Sequence, residues 1–435
     1  MFHYKSVLSV VLGTLWLTSS TYGSALPSTK VLGGRQEDYH WVDTWTSMPQ
    51  LVEPDNLPPA PYKGSNAVFA GATLRQTLHM SIGADHIRIQ ISNTFGGSDL
   101  TIDAVALALP NGGKAGVNDL QPMTIRGLTF NGGSQSVTIP KGKVAYTDSI
   151  DFAIKPQSML TVTMYLAKGQ SGTSITGHPG SRTTSWMQTG QRVNETNISG
   201  ANTKHWYFVS GVEAWAPQNT SSLVILGDSI TDGRGSTDDA NNRWPDLLLA
   251  RMQTAGITNV GVNNQAAGGN AVLTGGLGPT LLTRYTRDGI TQAGVKYLCI
   301  FEGVNDIGGG GTDSGTQTRI GDSLIAAFKQ IAADAKKAGI ITIGATITPF
   351  GGNGQSYSNP TREATRQKVN KWILNSGGVF DATVDFDKAV RDPNQASQLA
   401  SKYDGGDHLH PNGAGYQAMA EAFDLTILSK SAAKV

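Results

Sequence analysis

The chain has 435 residues, enough for two or three domains at roughly 150 residues each. Its 34 Lys and Arg nearly balance 33 Asp and Glu, which excludes a nucleic-acid binder whose affinity rests on neutralising phosphates. A hydrophobic content of 39% excludes a disordered chain, and 53 glycines mark it as rich in loops.

Residues 1–23 read as a secretory signal peptide: Lys5, an apolar run from Val7 to Leu17, then the small residues Ser19, Ser20, Gly23 and Ala25 around a cleavage point. The run is about 11 residues long where a membrane span needs about 20, so a secreted, extracellular protein without stable membrane insertion is expected. Three sequons, at Asn194, Asn197 and Asn219, fit surface loops of a glycoprotein.

Residues 38–215 follow a period of two, which predicts an antiparallel β-sandwich domain. Leu78–Ile82 and Ile87–Ile91 alternate apolar and polar residues around Gly83–His86, predicting a hairpin. Further strands are predicted at Ile102–Leu107, Gln135–Ile139, Met159–Leu166 and Trp206–Val209, between turn clusters such as Pro110-Asn111-Gly112-Gly113.

The pattern changes near Trp215-Ala216-Pro217. Apolar runs at Leu223–Leu226, Val260–Val262, Tyr297–Phe301 and Ile340–Ile347 alternate with helical patterns at Arg243–Ala255, Asp322–Ala338 and Thr361–Asn375. Strand, helix, strand in that rhythm predicts an α/β domain over 217–435 with a doubly wound parallel sheet. Ligands of such sheets bind beyond the carboxyl ends of the strands, so the loops after the apolar runs are where chemistry is sought. Cys299 lies inside one run and reads as a buried structural thiol. As the chain's one cysteine it allows no intramolecular disulfide.

Four such segments carry reactive residue types. The first run ends in Gly227-Asp228-Ser229-Ile230, placing Ser229 as a nucleophile would be placed, though Asp-Ser also starts turns and caps helices. The second runs into Gly268-Gly269, where a backbone N–H is free to face an oxyanion or simply to make a tight turn. The third ends in Gly303-Val304-Asn305-Asp306, whose Asn305 amide can donate to developing negative charge or form an Asx turn. Near the C-terminus, Asp407-His408-Leu409-His410 offers a base and its orienting anion. The two histidines also raise a metal site, for which no third soft ligand is nearby.

In order, spacing and strand-end placement the four segments resemble the SGNH hydrolases, the GDSL lipase/acylhydrolase family, over about 217–425. Ile230 stands where that family usually has Leu. The resemblance implies a serine carboxylic-ester hydrolase working through an acyl-serine intermediate without metal or organic cofactor. It assigns Ser229, Asp407 and His410 to catalysis, and Ser229, Gly269 and Asn305 to an oxyanion hole, with Gly268 competing for the glycine position.

A looser likeness, through Arg243-Trp244-Pro245, the stretch Arg284–Gly303 and the opening at Trp41 and Trp45, is to a secreted branch in which a β domain precedes the hydrolase. It implies ester substrates that are lipids or acetylated carbohydrates, including deacetylation of a plant polysaccharide such as xylan. The polar stretch Gly308–Gly315 favours small acyl groups, while Ala271-Val272-Leu273 offers an apolar lining. A reading of another class is a non-catalytic polysaccharide-binding protein that stacks sugars on Trp186 or Trp206.

Overall fold

The computed structural model describes residues 38–429, so the predicted signal peptide lies outside the described residues. The larger strands of the N-terminal part are β1 (Tyr39–Thr46), β2 (Ala72–His79), β3 (Ala84–Ser92), β4 (Ala104–Ala108), β5 (Met159–Leu166), β6 (Ser185–Thr189) and β7 (Val209–Pro217). In one sheet β7 lies between β1 and β3; in the other the order is β6, β2, β5, β4. These pairings are antiparallel. The predicted period of two is visible in β3, where Ile87, Ile89 and Ile91 are buried and Arg88 and Gln90 are partly exposed. Those isoleucines share one core with Leu74, Leu78, Val162 and Met164 of the other sheet, the arrangement of a sandwich.

The predicted hairpin is not formed. β2 and β3 belong to different sheets, and Met80, Ser81 and Ile82 carry the chain across the sandwich edge. The crossing is pinned to β1: Ser81 N and Oγ donate to the carbonyl of Thr44, and Ile82 N donates to Thr44 Oγ1. Both arms alternate because both face the same core from opposite sides, so a period-two pattern does not separate this crossing from a tight turn. The run Ile102–Leu107 is likewise split at Asp103. Leu100–Ile102 pairs with Val137–Ile139 in a ladder of its own, and β4 joins the second sheet.

The C-terminal part carries a parallel sheet of β8 (Ser221–Gly227), β9 (Val260–Ala266), β10 (Val295–Phe301), β11 (Ile341–Ala345) and β12 (Ala382–Val384), in the order β9, β8, β10, β11, β12. The predicted parallel sheet of the α/β part is thus formed. Every residue of β8 is buried, as a central strand covered on both faces requires. Besides the short helices Leu281–Tyr285 and Phe386–Val390, the α-helices are α1 (Ser229–Asp232), α2 (Trp244–Thr254), α3 (Val304–Gly309), α4 (Ser314–Lys337), α5 (Pro360–Leu374) and α6 (Gly413–Ala422). α2 packs with α6, and α4 packs with α5.

α4 starts well before the predicted Asp322, because Asp313 caps it by accepting from Thr316 N at 2.8 Å, while its first turns lack an apolar stripe. With α3 taking Val304–Gly309 and α4 starting at Ser314, only 310–313 of the polar stretch Gly308–Gly315 lies outside a helix. Cys299 is fully buried in β10, and burial pushes its thiol pKa up to about 12, the inert state expected of it.

From β8 the chain passes to β9 on one side and then to β10 on the other. The crevice at the carboxyl end of β8 is therefore the switch point of the sheet. The β-rich part docks against this sheet and against the segment that follows Ser229. Asp43 N donates to the Ala293 carbonyl, Asn263 Nδ2 donates to the Asp43 carbonyl, Thr184 donates twice to the Asp239 carboxylate, and His178 Nε2 lies 2.9 Å from Asp232 Oδ1. Trp206 is buried at 5% exposure and packed edge-on against Trp45, so it is core and not a sugar platform. Trp186 is half-buried and donates to the Gly116 carbonyl. Asn194, Asn197 and Asn219 are exposed.

Candidate active site

Ser229 opens α1 directly beyond β8. Asp228 caps the helix by accepting from Ile230 N at 3.0 Å, and Gly233 closes it at φ +98 with its N–H on the Ser229 carbonyl at 2.9 Å. The turn is tight enough to require glycine before it, since a Cβ on Gly227 would stand 2.6 Å from Thr231 Oγ1. Burial pushes the Asp228 carboxyl up to about 7, the Ile230 N–H offsets part of this, and nearby Asp306 adds to it.

His410 arrives from the far end of the chain. Its Nε2 lies 2.8 Å from Ser229 Oγ, and its Nδ1 lies 2.6 Å from Asp407 Oδ2. Asp407 Oδ1 also accepts from the backbone N–H of His410 at 2.8 Å and of Leu409 at 3.1 Å, so the carboxylate folds its own loop around the imidazole. Asn412 then anchors the loop. Its Oδ1 caps α6 through Gly415 N, while its Nδ2 donates to the carbonyls of Lys402 and Asp404. Ser229 and His410 are buried at 7% and 6% exposure, whereas the Asp407 side chain is 43% exposed.

Burial lowers the His410 pKa below 6.5; Asp407 pulls the other way, and Arg234 and Arg182 lower it further. For Asp407, burial acts upward but is outweighed by its hydrogen bonds with the backbone and ring of His410, which leave the carboxyl below its usual value. A hydroxyl, a neutral imidazole and a carboxylate in this order can move a proton off the hydroxyl oxygen.

Asn305 lies in the first turn of α3, one strand over from Ser229. Its Nδ2 donates to the Asn270 carbonyl at 2.7 Å, and its Oδ1 accepts from the Tyr357 hydroxyl at 3.0 Å. Those two partners fix which way the amide points and leave its second N–H. Gly269 sits at φ +69 beyond β9. Among the described residues neither Ser229 N nor Gly269 N has a hydrogen-bond partner, so both are available as donors. Gly268 N is equally without a partner there, and the hydrogen bonding does not separate the two glycines. Asp306 ties this edge together by accepting from Val272 N and Leu273 N, both at 2.9 Å. Burial pushes its carboxyl up to about 6 against those two bonds.

The site thus brings together Ser229, His410, Asp407, Asn305 and the Gly268-Gly269 turn from four separate segments. His408 is engaged elsewhere, with Nδ1 2.5 Å from Asp404 Oδ2. Among the described residues no group of three His, Cys, Asp or Glu is placed to hold a metal ion. Tyr357 was not foreseen from the sequence. It lies in an irregular loop between β11 and α5, and its one signal is that this loop also leaves the carboxyl end of a strand.

Residues 225–418, a little under half of the chain, match the GDSL-like Lipase/Acylhydrolase family. No curated protein matches the chain. Among solved structures it is similar to an acetylxylan esterase from Geobacillus stearothermophilus, at 22% identity and a TM-score of 0.36, over 50% of this chain and 99% of that one. It is also similar to a GDSL-like lipase from Bacteroides thetaiotaomicron, at 18% identity and a TM-score of 0.36, over 48% of this chain and 88% of that one. A member of the lipolytic protein G-D-S-L family from Veillonella parvula matches at 21% identity and a TM-score of 0.35, over 47% of this chain and 96% of that one.

Proposed function

We propose that this protein is a secreted serine ester hydrolase that releases short acyl groups through an acyl-Ser229 intermediate. The observation that carries this reading is the continuous hydrogen-bond chain from Ser229 Oγ to His410 to Asp407, at 2.8 and 2.6 Å, beside three N–H donors at the switch point. Ser229 Oγ attacks the ester carbonyl carbon as its proton passes to His410 Nε2, and Asp407 holds the Nδ1–H and stabilises the imidazolium. The carbonyl oxygen, now an anion, is met by the N–H of Ser229, the N–H of Gly269 and the Asn305 amide. His410 returns the proton to the departing alcohol. Water, deprotonated by the same imidazole, then releases the acid and restores the serine.

Acyl length follows from what stands at the mouth. Leu277, 52% exposed, leans over Gly269, while residues 309–315, at the end of the helix that carries Asn305 and beyond it, are polar and solvent-exposed apart from Gly310. One apolar side chain suits an acetyl or similarly short group better than a long alkyl chain. Turnover of p-nitrophenyl esters is accordingly expected to fall steadily from acetate to longer acyl chains, with acetylated xylan assayed in parallel for acetate release. A rate that rises from acetate to decanoate contradicts the short-chain assignment, and no turnover of any ester contradicts the hydrolase reading itself.

Asn305→Ala is expected to lower kcat by about 100-fold to 1,000-fold with little change in KM, because an oxyanion donor is felt mainly in the transition state. A change confined to KM would make Asn305 a ground-state binding residue. The base must be neutral to work, and its surroundings hold the His410 pKa below 6.5. The acid limb of kcat/KM should therefore have its midpoint below 6.5, with activity lost as pH falls through it and retained above it. A midpoint above 7 would contradict the assignment.

A further inference from the structure

Arg284 sits in the short helix Leu281–Tyr285 and is fully buried. Its guanidinium reaches four acceptors supplied by three segments: the carboxyl ends of β8 and β10, and that of β9 with the loop that follows it. Nε donates to Asn270 Oδ1 at 2.9 Å and Nη1 to the Gln265 carbonyl at 2.6 Å; Nη2 donates to the Gly227 carbonyl at 3.1 Å and to Glu302 Oε2 at 3.2 Å. Asp288 Oδ2 lies 3.7 Å from Nη1. The fork therefore spans the carboxyl ends of β9, β8 and β10, with Gln265 next to last in the first strand, Gly227 closing the second and Glu302 directly following the third.

The acceptors are close in sequence to all three proposed oxyanion donors. Gly227 stands two residues before Ser229, Asn270 directly follows Gly269, and Glu302 stands three residues before Asn305. Asn270 closes the circuit: its carbonyl accepts from Asn305 Nδ2 at 2.7 Å, and its own Nδ2 holds the carbonyls of Leu277 and Pro279. A buried ion pair as such is weak evidence for stability, since apolar replacements of similar volume are often tolerated. A rigid planar fork that must meet acceptors on three strands and a loop is a different requirement, one that a lysine does not meet.

We infer that Arg284 is a positioning residue that sets the mutual spacing of the oxyanion donors, an inference that rests on the ester-hydrolase reading above. Donors of this kind act only if they lie within hydrogen-bond reach of the oxyanion, a position the ground-state carbonyl oxygen does not occupy. Loss of their register is therefore felt in kcat more than in KM.

The test is Arg284→Lys in the full chain, which keeps the charge and removes the fork. The expected result is a fall in kcat of about 100-fold with KM within about 3-fold of wild type, and a matching loss of affinity for a boronic-acid transition-state analogue. A merely structural role would lower the melting temperature and leave kcat per folded molecule intact. A folded variant with undiminished kcat overturns the inference. If Arg284→Lys does not fold, Asn270→Ala decides, because it leaves the guanidinium on the strand ends and keeps the carbonyl that accepts from Asn305, while removing the Nε acceptor beside Gly269 together with the two bonds to the Leu277 and Pro279 carbonyls. Its kcat should fall about 10-fold or more at constant KM, and an unchanged kcat overturns the inference as well. Wild-type turnover that survives Ser229→Ala sinks the hydrolase reading and this inference with it, whereas a Ser229-dependent wild type with a fully active Arg284→Lys sinks this inference alone.

Discussion

Ser229→Ala is expected to lower ester turnover by about a millionfold, the scale on which a serine hydrolase loses rate when its nucleophile is removed. A small residual rate above the uncatalysed reaction should remain, on the order of a thousandfold, because the oxyanion donors and the substrate cleft are untouched. The fold should survive. Ser229 is one turn residue whose side chain has His410 as its hydrogen-bond partner, while the helix it opens is held by Asp228 and Gly233 through their own groups. The comparison is made by initial rates on p-nitrophenyl acetate with thermal melts of both proteins alongside. A folded variant retaining about 1% of wild-type kcat or more would mean that another group attacks the ester.

Asp407→Asn carries the second largest expected effect, a fall in kcat of about 10,000-fold. The carboxylate receives His410 Nδ1–H at 2.6 Å and so leaves Nε2 bare toward Ser229 Oγ. An amide in its place can keep the backbone bonds to Leu409 and His410 through its oxygen, but it presents an N–H to Nδ1. The imidazole then carries its proton on Nε2, where it faces the hydroxyl as a donor and cannot take the hydroxyl proton. Because the Asp407 side chain is 43% exposed, the substitution buries no unpaired group and stability should change little. A loss of less than about 10-fold would mean that the tautomer of His410 is set by something other than Asp407.

Much of the site could be read from the sequence because a parallel sheet sends every strand's carboxyl end to the same edge. Once Leu223–Leu226, Val260–Val262 and Tyr297–Phe301 were read as buried strands, Ser229, Gly269 and Asn305 had to be neighbours, whatever their separation along the chain. The Asp407–His410 loop was legible for a different reason, since an Asp three residues before a His can satisfy both the loop backbone and the ring. Arg284 was not legible as a buried hub. Its acceptors come from Gly227, Gln265, Asn270 and Glu302, and an arginine four residues before Asp288 reads equally well as half of an exposed helical pair. Tyr357 escaped because irregular loops carry no period. Leu78–Ile82 reads as a hairpin arm turning at Gly83–His86, and not as a crossing between sheets, because alternation reports which face is buried and not which strand lies alongside.

Covalent trapping tests the central claim most directly. The intact protein is incubated with a fluorophosphonate ester, digested, and the modified residue is located by mass spectrometry. The account predicts a single stoichiometric adduct on Ser229, abolished in Ser229→Ala and strongly slowed in Asp407→Asn. Labelling that falls on another residue, or that proceeds at the wild-type rate in Asp407→Asn, would contradict it.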